Sequence, residues 1–380
     1  MTAGRFSYIR GMVPITARRA YLFAGGIAPL CTPAREALDE WADLCTFDPV
    51  VAYREYPRRE LALLRTVVAG FIGASPESVA VLDSASRGNN LAVEMIAAPA
   101  GSNVVVDQTT YPSALFPWLL PGKRHVEVRR AEQPEVSAFE RLVDERTVAI
   151  SVSQVANLTG LRHQLRPLAD LAHAHGALLL VDAAQSVGAI RVDVTADNVD
   201  LLTFGAMKWL LGTPGIGFLY VRPELEDHLV PPHAGPTGTR LDGNTQLAFA
   251  PGAARHELSS MNWGGLGASR RAAELLAGVP IGLIEARVLD LSARLIEGLR
   301  SRSIEVKTPA EAARRAGIVA FTFTGAGALR ARLRERGVDV WAWEKRSLLR
   351  ADPHVYNDES DVDRLLAEID AFRDRELSDN

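Results

Sequence analysis

The chain has 380 residues, 47% of them hydrophobic and 23% charged, enough for two or three domains of about 150 residues and for a core that needs no disulfides. Lys plus Arg number 42 against 46 Asp plus Glu, and a net charge of -4 leaves no broad cationic surface for nucleic acid. No window reaches the roughly 18 uninterrupted apolar residues of a membrane span, the N-terminus lacks the apolar core of a signal peptide, and Cys31 and Cys45 read as reduced thiols; a cytoplasmic protein with no membrane partner is expected.

Residues 60–222 alternate short β-branched runs with helical patterns, as in βαβ units around a largely parallel sheet. Strands are predicted over residues 78–82, 103–106, 125–128, 147–152, 177–181, 200–204 and 217–221. Helices are predicted over 86–97, 134–143 and 167–175, where apolar side chains recur at three- and four-residue spacing. Residues 230–255, rich in Pro, Gly and Thr and without periodicity, read as a long functional or interface loop. A long helix follows, then a strand pair near 318–324, a helix over 326–336, two short strands and an amphipathic helix over 358–372, with a polar tail after Arg373 expected to fray. The pattern predicts an α/β fold: an N-terminal segment over residues 1–20, a large domain with a mostly parallel seven-stranded sheet over 21–280, and a smaller α+β domain over 281–380.

Two strands end in reactive side chains. The apolar run 178–181 leads into Asp182, and in open α/β sheets ligands bind beyond the carboxyl ends of strands. The run 201–204 leads into Lys208 between Met207 and Trp209, where desolvation disfavours the ammonium and favours a Schiff-base nucleophile. Each has a plainer reading alone, as a turn carboxylate or a snorkelling surface lysine. Together they supply the lysine and the ring-nitrogen acid that pyridoxal 5′-phosphate requires. Its phosphate needs an anion site at a helix N-terminus, and the turn over 83–86 offers the Ala85 and Ser86 N–H groups and the Ser86 hydroxyl. His163, His173 and His175 lack cysteine or carboxylate neighbours at metal spacing, so no metal is expected. Gly212, Gly215 and Gly217 precede a strand, whereas the glycines of a dinucleotide site follow one.

These residues lie in a set of motifs that resembles the class V aminotransferases of fold type I, a family that includes cysteine desulfurases, C–S lyases and isopenicillin N epimerase-like enzymes. The motifs are Val155-Ala-Asn157-Leu-Thr-Gly160, His173-Ala-His-Gly176, Val181-Asp182-Ala-Ala-Gln185, Lys208 with Gly212-Thr-Pro-Gly-Ile-Gly217, Arg255-His-Glu257-Leu-Ser-Ser260-Met-Asn262 and Leu349-Arg350-Ala-Asp-Pro-His-Val-Tyr-Asn357. The resemblance implies a fold type I enzyme with Lys208 as the Schiff-base lysine and Asp182 as the partner of the pyridinium nitrogen. It also implies Tyr111 stacked on the ring, Asn157 and Gln185 near the phenolic oxygen and the substrate, and Arg350 gripping the substrate α-carboxylate through a bidentate pair. Ser260 corresponds to a hydroxyl that reaches the phosphate of the neighbouring subunit, which implies a homodimer with shared active sites.

The departures from the family narrow the chemistry. Where cysteine desulfurases carry a Ser and a His just before the lysine, this chain has Gly205 and Met207. Between Gly337 and Arg350, where a desulfurase places its nucleophilic Cys, there is no cysteine, which disfavours the usual persulfide route. The expected activity is therefore a pyridoxal phosphate enzyme that takes an amino acid through an external aldimine. A β-eliminating C–S lyase on cysteine or an S-substituted cysteine ranks first; transamination and decarboxylation are alternatives, and a non-catalytic scaffold is a rival of another class. Arg54, Arg58 and Arg59 either face the substrate or are solvated, and Trp341 and Trp343 either line the pocket or fill the small domain's core.

Overall fold

The computed structural model describes residues 2–243 and 245–378; Asn244, inside the stretch read as a loop, and the last two residues of the tail lie outside it. Seven strands form the main sheet: β1 (Val79–Leu82), β2 (Asn103–Asp107), β3 (Glu127–Ala131), β4 (Thr147–Ser153), β5 (Leu178–Asp182), β6 (Leu201–Gly205) and β7 (Gly217–Val221), in the spatial order β1-β7-β6-β5-β4-β2-β3. Only β7 runs antiparallel to its neighbours. Three of these strands, β1, β2 and β7, are buried along their whole length and three more at all but one residue, as continuous apolar runs covered on both faces must be. The exception is β3, an edge strand whose exposed Glu127 and Arg130 blur its apolar pattern; it begins two residues later than the sequence suggests.

A second core gathers Leu295, Leu299, Phe321, Leu329, Leu365 and Ile369. It lies around the strands β8 (Val319–Thr322), β9 (Trp341–Trp343) and β10 (Leu348–Ala351), with β10 central, and the helices α2 (Ala326–Glu335) and α3 (Glu359–Ser378). Ala20 and Leu22 pack into this core as well, because Ala20–Tyr21 pairs in parallel with Val338–Asp339 and Phe23 bridges to Asp352. That pairing carries the chain from residue 23 to 26 over the carboxyl ends of the main strands, where it becomes part of the site.

Two expectations are corrected. Within residues 230–255 the strands Thr239–Asp242 and Gln246–Phe249 form an antiparallel hairpin. Its side chains are exposed or half-buried, so there is no buried face to impose an alternating pattern. The polar tail continues α3 to Ser378, and Arg373 anchors it by donating to the Arg302 carbonyl at 2.7 Å. No described helix is long and apolar enough to cross a membrane.

Candidate active site

Strands β5 and β6 are parallel neighbours with Asp182 opposite Thr203, so their ends deliver the acid and the lysine side by side. The buried Asp182 carboxylate is oriented by three donors: the Ala184 N–H at 3.0 Å, Asn89 Nδ2 at 3.2 Å and Ser113 Oγ at 3.4 Å. Asn89 is fixed in turn by the Thr203 hydroxyl, which donates to its Oδ1 at 2.7 Å. After β6 the chain makes a tight turn, with Ala206 N donating to Ile216 O at 3.0 Å, Gly212 N to Ala206 O at 2.9 Å and Leu211 N to Lys208 O at 3.0 Å. The turn holds the fully buried Leu211 at φ 59°, a conformation branched residues seldom adopt. Lys208 leaves this turn with its Nζ 5.6 Å from the centre of the Tyr111 ring. Burial pushes the Lys208 ammonium below its usual range; Asp182 opposes that shift and Arg350 adds to it.

The anion end lies at the start of helix α1 (Ala85–Met95). Its N-cap is Ser84, whose Oγ accepts from Arg87 N at 3.1 Å, so the helix begins one residue earlier than expected and Ser86 sits within its first turn. Glycine is required at Gly217 because a Cβ there would lie 2.3 Å from the Ser84 carbonyl carbon and 2.6 Å from Ala85 N. That close approach lets β7 carry the helix N-terminus into the site, where first-turn N–H groups have no intrahelical partner.

A cavity of about 360 Å³ joins these parts. Ala85, Ser86, Tyr111, Asn157, Asp182, Lys208 and Arg350 all line it, as do Gly205, Met207 and Trp341. Gln185 stands behind it: its Nε2 donates to Gly25 O at 2.8 Å and to Asn157 Oδ1 at 3.1 Å, while its Oε1 accepts from Trp209 Nε1 at 2.8 Å. Ser260 is elsewhere in the protomer, exposed in a separate hollow with Tyr53, Arg54 and Arg58. Arg59 is tied to Glu60 at 2.9 Å, and Trp343 packs edge-on against Trp341 with ring centres 6.2 Å apart. His163 and His173 each meet a carboxylate, Asp107 at 2.9 Å and Asp200 at 2.7 Å.

Arg350, nearly fully buried, donates from Nη1 to the Asn157 backbone carbonyl at 2.8 Å and to its Oδ1, and its Nε lies 3.0 Å from Asp352. Nη2 has no hydrogen-bond partner among the described residues. Asp352 also accepts from Gly25 N at 3.1 Å, and a Cβ on Gly25 would collide with Asp352 Oδ2 at 2.8 Å and Gln185 Oε1 at 2.9 Å. Burial raises the Asp352 carboxyl while Arg350 opposes that shift. Asn89, Ser113, Gly25 and Asp352 are not among the residues expected from the sequence. The last lies two residues beyond Arg350 in a motif already singled out, and a carboxylate beside a candidate anion-binding arginine is the signal that marks it.

The residues fit a phosphorylated pyridine aldehyde. A desolvated amine, a fixed carboxylate, an aromatic ring over the amine and a helix N-terminus whose Ala85 and Ser86 N–H groups have no acceptor among the described residues converge on one cavity of suitable size. Gly205 and Met207 leave the phosphate end with fewer polar side chains, and the hydroxyls of Ser84 and Ser86 are the ones present there. The sheet order and the position of the lysine define a fold type I enzyme.

The family model for aminotransferase class-V matches residues 58–365, so the chain belongs to that family and is a pyridoxal phosphate-dependent enzyme. A probable cysteine desulfurase of Methanothermobacter thermautotrophicus is 33% identical over 242 residues, which span 62% of this chain and 60% of that protein. The apo structure of a cysteine desulfurase from Thermococcus onnurineus NA1 superposes with a TM-score of 0.85 at 24% identity, covering 96% of this chain and 97% of that one. The cystine C–S lyase C-DES, in complex with its product cysteine persulfide, superposes with a TM-score of 0.86 at 21% identity over 93% and 98% of the two chains.

Proposed function

We propose that the protein is a β-eliminating C–S lyase acting on cysteine or an S-substituted cysteine. The observation that carries this reading is the lining of the cavity: Lys208 and Trp341 are part of it, and neither of the two cysteines is, Cys31 being buried elsewhere and Cys45 exposed. With no thiol at hand to take up sulfur, the departing group leaves as a free thiol. The balance is S-substituted cysteine plus water giving pyruvate, ammonia and the thiol. The relatives named as cysteine desulfurases and as a cystine C–S lyase support sulfur amino acids as the substrate class.

When bound, the cofactor supplies an electron-withdrawing ring that weakens the bonds at the substrate α-carbon. Lys208 would hold it covalently, and its amine, lowered in pKa by burial, is suited to take up and return the substrate's α-proton. Asp182 would keep the ring nitrogen protonated, Tyr111 would cover the ring face, and the Ala85 and Ser86 N–H groups with the Ser86 hydroxyl would bind the phosphate. Arg350 reads the α-carboxylate with Nη2, helped by the Asn157 side-chain amide, whose Nδ2 has no partner among the described residues, and Gln185 positions Asn157. Ser260 serves the phosphate of a partner subunit in a homodimer, supported by its place in a hollow separate from its own cavity, beside the exposed Tyr53. Free cysteines agree with a cytoplasmic setting.

Product analysis tests the reading. Incubation with cysteine, cystine and S-alkyl-cysteines is expected to release pyruvate and ammonia in equal amounts, together with an equal amount of sulfide from cysteine, of cysteine persulfide from cystine and of the thiol from the S-alkyl-cysteines. Keto acid formed without ammonia would assign a transaminase instead, and an amine product a decarboxylase.

A further inference from the structure

A second hollow, of about 510 Å³, lies against the catalytic cavity, and Phe23 and Trp341 are walls of both. Its charge is unbalanced. The one carboxylate lining it, Asp339, has both oxygens occupied by Arg19, from Nε at 2.5 Å and Nη2 at 3.0 Å. Helix α2 and its C-cap carry arginines at 330, 332, 334 and 336. Arg332 pairs with Glu335 at 3.6 Å and Arg336 with Glu368 at 3.0 Å. Arg330 and Arg334, which line the hollow, have no ion-pair or hydrogen-bond partner for their guanidinium groups among the described residues. They stand one helical turn apart, where like charges repel, and an anion between them removes that repulsion.

We infer that this hollow receives an anionic group at the far end of the substrate's S-substituent, so that the preferred substrates are S-substituted cysteines whose sulfur side ends in a carboxylate or a similar anion. The inference rests on the C–S lyase reading. Within the catalytic cavity Arg350 already has Nε beside Asp352 and Nη1 on Asn157, which leaves one nitrogen for the α-carboxylate and none for a second anion. A second anion therefore has to find its partners past Trp341, and the unpaired arginines are the cations there. Because both are exposed, their attraction is screened by salt.

The test uses the dimeric or monomeric holoenzyme as purified and a series of S-alkyl-cysteines of increasing length, each ending either in a carboxylate or in a methyl group. One chain length of the carboxylate series should have a KM lower by about 10-fold than its methyl counterpart, and added salt should erode the difference. The variant R330A/R334A should abolish that advantage while leaving kcat and the methyl-ended substrates unchanged. R330E/R334E should reverse it in favour of an amine-ended chain. Equal KM values for the two series at every length, or equal effects of R330A/R334A on both, would overturn the inference. Turnover of the methyl-ended compounds reports on the lyase reading separately. If none is cleaved, calorimetric titration of the holoenzyme with the two series still decides whether the arginines select the anion.

Discussion

The two ends of the catalytic cavity are built in opposite ways. At the Asp182 end the contacts come from the sheet strands and the segments that follow them: Thr203 beside Asp182 in register, Ala184 two residues on, and Asn89 and Ser113 just past β1 and β2. At the Arg350 end, Gly25, Asn157, Gln185 and Asp352 converge from four distant parts of the chain, and Trp209 and His354 stand behind them. A strand that ends in a fixed carboxylate tolerates change around it, because the sheet sets its position. A pocket assembled from distant loops depends on each contact, and that is where members of one family can diverge in substrate while keeping the cofactor.

The largest expected effect tests the first end. Lys208→Ala should lose the visible absorbance of the lysine-bound cofactor and essentially all turnover for every substrate, while thermal unfolding stays close to wild type. Retained absorbance and turnover would remove Lys208 from its role. Asp182→Asn should keep the cofactor but lower kcat by about 100-fold or more, the scale of removing one preorganised charge contact from a reacting centre. The loss should be the same for cysteine and for S-alkyl-cysteines, since this end does not touch the part of the substrate that varies.

At the second end the substitution must be chosen with its partner in mind. Arg350→Ala removes a charge-assisted contact of about 1.5–3 kcal/mol, so KM should rise roughly 10- to 150-fold. It also strands Asp352, which is fully buried, and leaving such a charge unpaired costs about 3–5 kcal/mol of stability. Arg350→Ala/Asp352→Asn should recover most of the stability but not the KM. If the double variant regains substrate affinity too, Arg350 serves the fold and not the carboxylate.

The same contrast explains how much of the molecule is legible in its amino-acid sequence. Asp182 and Lys208 are legible because each follows an apolar strand, and the strands other than β3 are legible because both faces of the sheet are buried there. Gly25 is not, since its place depends on Ala20–Tyr21 pairing with Val338–Asp339, more than 300 residues away along the chain. Neither is the inward turn of Gln185, whose amide is fully engaged by protein and does not reach the cavity. Local periodicity carries no information on such long-range pairings. The hairpin at 239–249 escapes for the converse reason: its exposed side chains meet no core.

The smallest effect is a pH dependence that separates the two ends. His354 is fully buried, its Nε2 2.8 Å from the Trp209 carbonyl and its Nδ1 accepting from Val355 N at 2.6 Å, so the ring is neutral with its proton on Nε2. Burial lowers its pKa from 6.5 to about 4. Between these values the unfolded chain binds a proton that the folded protein does not, so stability is full above pH 6.5 and falls as the pH drops towards 4, by about 1.4 kcal/mol per unit. His256, also lowered to about 4, adds a similar slope from a position outside the cavity. Urea midpoints measured from pH 7.5 to 5 should therefore decline, and His354→Gln and His256→Gln should each remove about half of the part due to histidine. Only the first should also change the acid side of the KM profile, because only His354 braces Trp209, and through it Gln185 and Asn157. If both variants shift KM alike, or neither flattens the decline, the Arg350 end is no more dependent on its distant supports than the Asp182 end is on its strands.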